Sequence, residues 1–441
     1  MRHIEPVVRQ AGLVLLILAT LLSCKGDPKT PETLPPVNCD LLSQNQYVFD
    51  LMKDFYFWYG EVPEVDPSQF SSPEELLETL KFSPLDRFSG VSDQQTQALF
   101  LGQGKFIGIG LRLKSDEADR LFVAFEFSGS PAAQAGIVRG TEIIAINGNL
   151  VSTLLTGDDF DNAWGDTSVG TTATLDILLP GASSTISTTL TREVVTIDST
   201  QIVDTFIDPN DVKFGYLLFT NFFGGSASTT PLSNAFSFFK NEDIDELILD
   251  LRYNGGGAVP TAVHLGSLIG GTKTAGSIFA KTIYSDRYSR FNTNTFFSNK
   301  FGSLSLDRIY VITSPATCSA SEMLINSLRP HIEVITIGDT TCGKPVGSNP
   351  QNFCDKTINA INFEFRNSLD QGEFFDGLPA SCASVDDLSQ ALGAQQDNAV
   401  AIASYYQQNS QCSALSKFAK RRPSLWRESK PDQKSYMVDI Y

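Results

Sequence analysis

Long hydrophobic runs are scarce in this sequence of 441 residues. The longest, residues 11–22, contains twelve residues and no charge, whereas a membrane-spanning helix needs about 20 apolar residues. No comparable run follows it. The sequence therefore predicts no membrane-spanning segment, and any attachment to a membrane has to come from a lipid.

Basic residues are outnumbered. The chain has 33 Lys and Arg against 50 Asp and Glu, a formal charge of −17. Such a surface repels phosphate backbones, which argues against a nucleic-acid partner. Charged residues make up only 19% of the chain and apolar residues 41%, a balance typical of globular domains rather than disordered chains.

Histidine is almost absent. Of the three residues, His3 lies in the N-terminal leader, His264 in an apolar helical stretch and His331 in a loop. Neither a Cys-x-x-Cys pair nor a Gly-x-Ser-x-Gly elbow occurs. We therefore expect no metal and no cofactor, and a serine enzyme here would need a base other than histidine.

The N-terminus carries a targeting pattern. Arg2 and Arg9 precede the apolar run, which ends in Leu-Leu-Ser-Cys at Cys24. This pattern resembles a bacterial lipoprotein signal, which implies removal of residues 1–23 and lipidation of Cys24. An ordinary signal peptide is the alternative. Lys25 after the cysteine implies, by the same resemblance, an outer-membrane protein facing the periplasm.

Composition changes divide the rest of the chain. Residues 24–38 form a Pro-rich tether, and 39–100 show a helical period with a Ser72 cap, which predicts a small helical domain. Short β-rich runs occupy 101–200, and strands alternating with helices occupy 201–412, typical of an α/β core. Residues 413–441 form a basic tail.

Residues 130–148 carry a recognisable pattern. A Ser-Pro-initiated stretch of small residues ends at Gly136, and a strand then leads into an Asn147-Gly148 turn. This arrangement resembles a PDZ domain. The resemblance implies that apolar C-terminal tails bind by strand addition. The predicted peptide-binding residues are Phe106, Ile107, Gly108, Ile109 and Gly110.

Two segments of the α/β region could carry chemistry. Small residues surround Ser319 and Ser321 between a predicted strand and a helix, where backbone N–H groups and the helix dipole favour developing negative charge. Lys344 lies among small residues after the next strand. Burial lowers the pKa of a lysine and makes it available as a base. Helix capping is the alternative explanation for the serines.

Four motifs in order support a family resemblance over residues 105–405. They are the PDZ-like segment, residues 250–257 (DLRYNGGG), the Ser-Ala-Ser-Glu turn at 319–322, and the Gly-Lys at 343–344. The sequence resembles the carboxy-terminal processing (tail-specific) serine peptidases. Residues 86–89 (DRFS) resemble the N-terminal part of exported members. The implied architecture is multidomain α+β, with a crotonase-like peptidase core.

The resemblance assigns roles residue by residue. Ser319 is the nucleophile and Lys344 the general base, while the backbone N–H groups of Gly256 and Ala320 form the oxyanion hole. Ser321 is then a helix-cap residue. Some relatives have Gln four residues after the lysine or Asp eleven after the serine, where this chain has Ser348 and Pro330. The third member of the site stays open, with Glu322 and Ser348 as candidates.

Two further expectations concern function and cysteines. The implied activity is endopeptidase cleavage of protein substrates through an acyl-enzyme, and the alternative is a non-catalytic scaffold that binds peptide tails. Six cysteines follow Cys24, and an even number in an exported chain predicts disulfides. Spacing favours Cys342–Cys354, then Cys382–Cys412. Cys39 and Cys318 remain, and Cys318 is an alternative partner for Cys342.

Overall fold

The N-terminal segment begins with helices. The computed structural model describes residues 38–116, 118–155 and 160–419, so the expected signal peptide, Cys24, nearly all of the tether and the tail from residue 420 lie outside the described residues. Ser72 caps the second helix by accepting the N–H of Glu75, as expected. The elements are α1 (Leu41–Asp54), α2 (Pro73–Leu80), β1 (Gly90–Asp93) and α3 (Gln94–Gln97).

This helical segment is not independent of the core. β1 pairs antiparallel with a strand from far along the chain, Lys356–Asn359, and a shared apolar cluster joins Met52, Leu76 and Phe88 to Val346 and Ile361. The helical period of the sequence predicts helices alone here, so that prediction is incomplete. β1 is not visible in the sequence because the strand has four residues and its partner is more than 260 positions away.

The second segment is β-rich, as expected. Its main sheet has the antiparallel order β3-β4-β5-β7-β8, and Asn147 and Gly148 both have positive φ in the turn after β5, which suits an Asn-Gly hairpin. The elements are β2 (Lys105–Gly108), β3 (Leu111–Ser115), β4 (Leu121–Glu126), α4 (Pro131–Gln134), β5 (Glu142–Ile146), β6 (Asn149–Leu150), α5 (Val151–Leu154), α6 (Phe160–Ala163), β7 (Thr172–Leu178), β8 (Ile186–Thr191) and β9 (Glu193–Thr196).

The third segment is an α/β core. Its main sheet has the order β10-β11-β12-β15-β16-β21, and every neighbouring pair from β11 onward is parallel. The elements are β10 (Thr200–Ile207), β11 (Lys213–Phe219), α7 (Ser226–Asn241), β12 (Glu246–Asp250), α8 (Val259–Thr274), β13 (Ile278–Tyr284), β14 (Thr293–Phe296), β15 (Arg308–Thr313), α9 (Ala320–Leu328), β16 (Glu333–Gly338), β17 (Val346–Gly347), β18 (Gln351–Phe353), β19 (Lys356–Asn359), β20 (Phe363–Arg366), β21 (Cys382–Ala383), α10 (Asn398–Asn409) and α11 (Ala414–Ala419).

The parallel strands explain where the site forms. β12 and β15 are buried on both faces, with α7, α8 and α9 packed on one side and α10 together with apolar residues of the β-rich segment on the other, as their continuous apolar sequences predict. Their carboxyl ends lead into the Gly-rich turn and the Ser319 turn, respectively. Ligands of parallel sheets collect at this edge. Within the described parts of the chain, no helix is both long enough and apolar enough to cross a bilayer.

The disulfides differ in part from the expectation. Cys382–Cys412 is confirmed, but Cys342–Cys354 is wrong, because the bonds are Cys318–Cys342 and Cys39–Cys354. The N–H of Cys342 donates to Thr317 O, which brings Cys342 beside Cys318. The β18–β19 hairpin instead brings Cys354 to Cys39, just before α1. Phe353 of the same hairpin stacks on Tyr47 of that helix. Cys318, the alternative partner expected for Cys342, is therefore the one that is bonded, whereas the Cys39–Cys354 contact could not be predicted from spacing along the chain.

Candidate active site

One cleft contains the residues that the sequence analysis brought together. It has a volume of about 470 Å³ and lies at the carboxyl edge of the main sheet. Ser319 and Lys344 both line it, together with the Gly255–Gly257 turn and Ser348. Apolar side chains from the N-terminal segment and the core complete its walls, among them Phe88, Phe100, Leu101, Met323, Phe363 and Phe365.

Ser319 is held at the N-terminus of helix α9. Its φ of 54° lies in the left-handed region, which is uncommon for a residue other than glycine and concentrates at functional sites. A capping box joins it to Glu322, whose carboxylate accepts the Ser319 N–H at 2.9 Å. Ser319, and not Ser321, is therefore the helix-cap residue. The Ser321 hydroxyl donates instead to Asn254 O at 3.0 Å.

Glu322 connects the serine to the lysine turn. Besides the Ser319 N–H, its buried carboxylate accepts the N–H of Gly343 at 2.7 Å and that of Lys344 at 2.8 Å. The Thr341 hydroxyl donates to it at 2.5 Å. Burial raises the pKa of Glu322, and these hydrogen bonds oppose the rise. These hydrogen bonds thus hold the backbone around both residues.

Lys344 lies in the turn between β16 and β17, with its side chain partly buried. Burial lowers the pKa of Lys344 to about 8, and the negative charges of Asp86 and Glu322 oppose that shift. With a pKa near 8, about a tenth of the amine is neutral at pH 7, against well under a thousandth for an ordinary lysine. This lysine can therefore accept a proton near neutral pH.

The Gly-rich turn packs directly on the serine turn. A Cβ at Gly256, where φ is +100°, would lie 2.8 Å from both Ala320 N and Ser319 Cβ, so only glycine allows this close approach. The N–H of Gly256 donates to Asn254 Oδ1 at 2.9 Å. To serve an oxyanion it would have to leave that acceptor. Ala320 lines the cleft, consistent with the position predicted for the second donor.

The two histidines within the described residues lie elsewhere. His264 contacts the Ser233 hydroxyl at 2.9 Å, and His331 contacts Ile278 O at 3.2 Å; neither lines the cleft. Ser348 does line it, at the position where some relatives have glutamine. Phe88 also lines the cleft; its motif is visible in the sequence, but the sequence contains no information on which core residues it contacts.

The residues predicted to bind peptide tails divide into two groups. Gly108, Ile109 and Gly110 are buried, whereas Ile107 is 38% exposed and Phe106 packs edge-on against Phe127. The carbonyls of Ile109 and Gly110 accept the N–H groups of Ala132 and Phe127. Next to this segment, β3 is the edge strand of its sheet, paired with β4 alone among the described strands.

Two parts of the chain match known families. Residues 43–90 match the peptidase S41 N-terminal domain, and residues 213–371 match peptidase family S41. The second range contains the Gly-rich turn, Ser319 and Lys344, and the first contains the segment at 86–88.

Curated relatives and solved structures agree with these matches. Carboxyl-terminal-processing peptidase 3 of Arabidopsis thaliana is 28% identical over 268 residues, covering 58% of this chain and 49% of the relative. A carboxyl-terminal-processing protease of Synechocystis sp. is 26% identical over 279 residues, covering 62% and 61%. The chain thus spans about half to three fifths of the length of these relatives.

Two crystal structures share the fold. A protein described as an S41 protease from Bacteroides fragilis is 24% identical, with a TM-score of 0.68 over 86% of this chain and 99% of that one. The photosystem II D1 C-terminal processing protease is 19% identical, with a TM-score of 0.51 over 82% and 97%. By these matches, residues 43–90 and 213–371 belong to peptidase family S41, and the curated relatives of the chain are carboxy-terminal processing peptidases.

Proposed function

We propose that this protein is a serine endopeptidase that uses Ser319 as nucleophile and Lys344 as general base. The observation that carries the proposal is that both side chains line one cleft, beside a glycine turn packed on the serine. The lowered pKa of Lys344 supports its role as a base at neutral pH. No metal or cofactor is part of the proposed reaction.

The proposed reaction has two halves. The neutral Lys344 amine takes the Ser319 hydroxyl proton as the oxygen attacks the substrate carbonyl. The oxyanion accepts hydrogen bonds from the N–H groups of Ala320 and Gly256. The Gly256 N–H leaves Asn254 Oδ1 to make this bond. Lys344 then gives its proton to the leaving amine, and an acyl-enzyme forms on Ser319. Water, deprotonated by the same amine, releases the product and restores the serine.

Replacing the two residues tests the assignment. Ser319→Ala and Lys344→Ala should each lower kcat on an unfolded, tail-bearing substrate by at least a thousandfold, because the pair acts as a unit. Ser327→Ala on the same helix is the control, since that residue does not line the cleft. If Ser319→Ala keeps substantial activity, the assignment of the nucleophile is wrong, whereas a wild-type protein without any turnover would favour the non-catalytic scaffold.

The pH dependence gives a second test of the base. We expect kcat/KM to rise with pH through a midpoint near 8, because the active form of Lys344 is neutral and burial lowers its pKa to about that value. The rise should be insensitive to chelators. A midpoint near 6.5 would indicate a histidine base instead.

We also propose that residues 101–200 form a PDZ-like domain that recruits substrates by their apolar C-termini. β3, directly after the Phe106–Gly110 segment, pairs with β4 alone among the described strands, and this edge position supports strand addition there. A peptide ending in a free carboxylate should bind at least tenfold more tightly than its C-terminally amidated form, measured by fluorescence anisotropy with the Ser319→Ala protein. Equal affinities would exclude this role.

The proposed location is the cell envelope, with lipidation of Cys24 as the only membrane attachment and the outer membrane as the site. Three disulfides in the described residues support an oxidising compartment. Metabolic labelling with a fatty-acid analogue should mark the wild-type protein and not Cys24→Ser. Labelling of both would place the lipid elsewhere.

A further inference from the structure

The amine of Lys344 contacts an aromatic ring from the N-terminal segment. Its Nζ lies 5.2 Å from the centroid of the Phe88 ring, within the distance at which a cation is attracted to a ring face. Phe88 is only 4% exposed and lines the same cleft as Ser319. The proposed base of the α/β core is thus contacted by a residue more than 250 positions earlier in the chain.

Asp86 fixes the segment around Phe88 from the N-terminal side. Asp86 is fully buried and accepts the N–H of Phe88 at 2.9 Å and that of Ser89 at 2.8 Å. The Tyr56 hydroxyl also donates to it, at 2.6 Å. These bonds fix the backbone at Phe88 and so the direction in which its ring leaves the chain.

Arg87 fixes the segment from the side of the core. Its guanidinium donates to the carbonyl of Cys342 and, at 3.1 Å, to that of Phe375. Cys342 is two residues before Lys344 in the same turn. The position of the ring and the position of the lysine turn are therefore coupled through one side chain.

From these contacts we propose that Phe88 is a positioning residue for the proposed base: its ring holds the Lys344 amine in the cleft and keeps water from it. The inference rests on the proposed peptidase function only for its effect on turnover. It also makes the N-terminal segment part of the active site, since residues 86–88 act on the lysine from outside the core.

The electrostatics of Lys344 give the expected direction of change. Burial lowers its pKa, while the charges of Asp86 and Glu322 raise it, and the ring favours the ammonium form. Arg87 is the other charged group on the segment. Leucine would retain the apolar volume without the ring face, so the pKa should fall further. Alanine would admit water, so the pKa should return toward that of an ordinary lysine.

The test compares three substitutions of Phe88 by the pH profile of kcat/KM. For Phe88→Leu we expect a midpoint lower by about 0.5 pH unit, together with a kcat lowered about tenfold by loss of positioning. For Phe88→Ala we expect a higher midpoint and a larger loss of activity at pH 7. Phe88→Tyr retains the ring and should keep the wild-type midpoint.

A matched control exists in the same segment. Lys53 Nζ lies 5.6 Å from the Phe49 ring, outside the cleft. Phe49→Leu therefore removes a similar pair from the N-terminal helices without touching Lys344. It should leave the midpoint unchanged, which separates an effect on the base from a general loosening of this segment.

A measurement without turnover separates the two proposals. In the Ser319→Ala protein, the Lys344 ¹³Cε resonance reports the lysine's titration by NMR, and the Phe88 substitutions should shift it in the directions given above. If Phe88→Leu and Phe88→Ala both titrate as the parent does, the inference about Phe88 is wrong. If the NMR shifts appear while Ser319→Ala retains activity, the peptidase assignment fails and the contact stands.

Discussion

At the scale of single residues, the site depends on a lysine held in an environment that disfavours its charge. Burial lowers the pKa of Lys344 from 10.5 to about 8, so the folded state binds fewer protons than the unfolded state between those values. Folding stability therefore rises with pH through that window and carries the full penalty below it. Burial of Lys344 thus lowers the free energy of unfolding at neutral pH and, in the same way, makes a neutral amine available.

This trade predicts that Lys344→Met stabilises the protein while abolishing activity. Methionine has a similar length and no charge, so the free energy of unfolding at pH 7 should increase by about 2 kcal/mol, reduced from the full shift because the side chain is partly exposed. The gain should shrink as the pH approaches 10.5. Urea denaturation at pH 7 and pH 10 measures it, and an equal gain at both pH values would contradict the argument.

Glu322 gives a second prediction at this scale. The Glu322 carboxylate accepts backbone N–H groups with both of its oxygens, so Glu322→Gln would turn an NH₂ group toward backbone N–H groups. We expect the Tm to fall and kcat to drop at least tenfold. Glu75→Gln is the control, because Glu75 also accepts a backbone N–H, from Ser71, far from the cleft. Equal effects of both changes would remove Glu322 from the positioning of the site.

Sequence alone predicted which residues meet in the cleft, but not all of their contacts. Ser319, Lys344 and the glycine turn follow parallel strands, whose carboxyl ends share one edge, so their convergence could be predicted from the strand–helix alternation. Phe88 could not be assigned in this way, because its contact with Lys344 depends on the docking of the N-terminal segment. Glu322 was a candidate, yet its acceptor role emerges only from the turn geometry.

At the scale of elements, a disulfide joins the start of α9, which carries Ser319, to the turn after β16, which carries Lys344. Cys318 directly precedes Ser319, and Cys342 lies in the lysine turn. The bond, together with Glu322, fixes the start of α9 against the segment after β16. Spacing along the chain favours Cys354 for this role because the loop between residues 342 and 354 is short. The contacts of the β18–β19 hairpin with α1, which place Cys354 elsewhere, are not visible in the sequence.

Removing this disulfide should lower kcat by more than a loss of folded protein can explain. We expect Cys318→Ala/Cys342→Ala to lower kcat at least tenfold at a temperature where the protein stays folded. The matched control is Cys382→Ala/Cys412→Ala, which opens a bond of similar sequence separation outside the cleft. Circular dichroism confirms folding of both variants. Equal losses of kcat would mean that the first bond contributes only general stability.

At the scale of the whole molecule, one carboxylate that is largely buried joins the β-rich segment to the core. Asp386 accepts bonds from Lys114 at 2.8 Å and Arg139 at 2.6 Å in the β-rich segment. From the core, it accepts Arg252 at 3.0 Å and the Tyr253 hydroxyl at 2.5 Å. Arg252 and Tyr253 directly precede the turn that contains Gly256. The position of the β-rich segment and that of the glycine turn are thus linked.

Asp386→Asn should therefore be strongly destabilising, because it leaves several buried cations without their shared partner. A loss of about 3 kcal/mol is expected, against less than about 1 kcal/mol for Asp370→Asn, whose pair with Lys281 lies at the surface.

The pKa of Asp386 is held well below its usual range by Lys114, Arg139 and Arg252, against the effect of burial. Its contribution should thus be complete above about pH 4 and disappear only in stronger acid. Urea denaturation of both variants at pH 7, and of the wild type and Asp386→Asn from pH 7 to pH 3, measures these differences. If the two variants lose equal stability at pH 7, Asp386 does not join the two segments energetically.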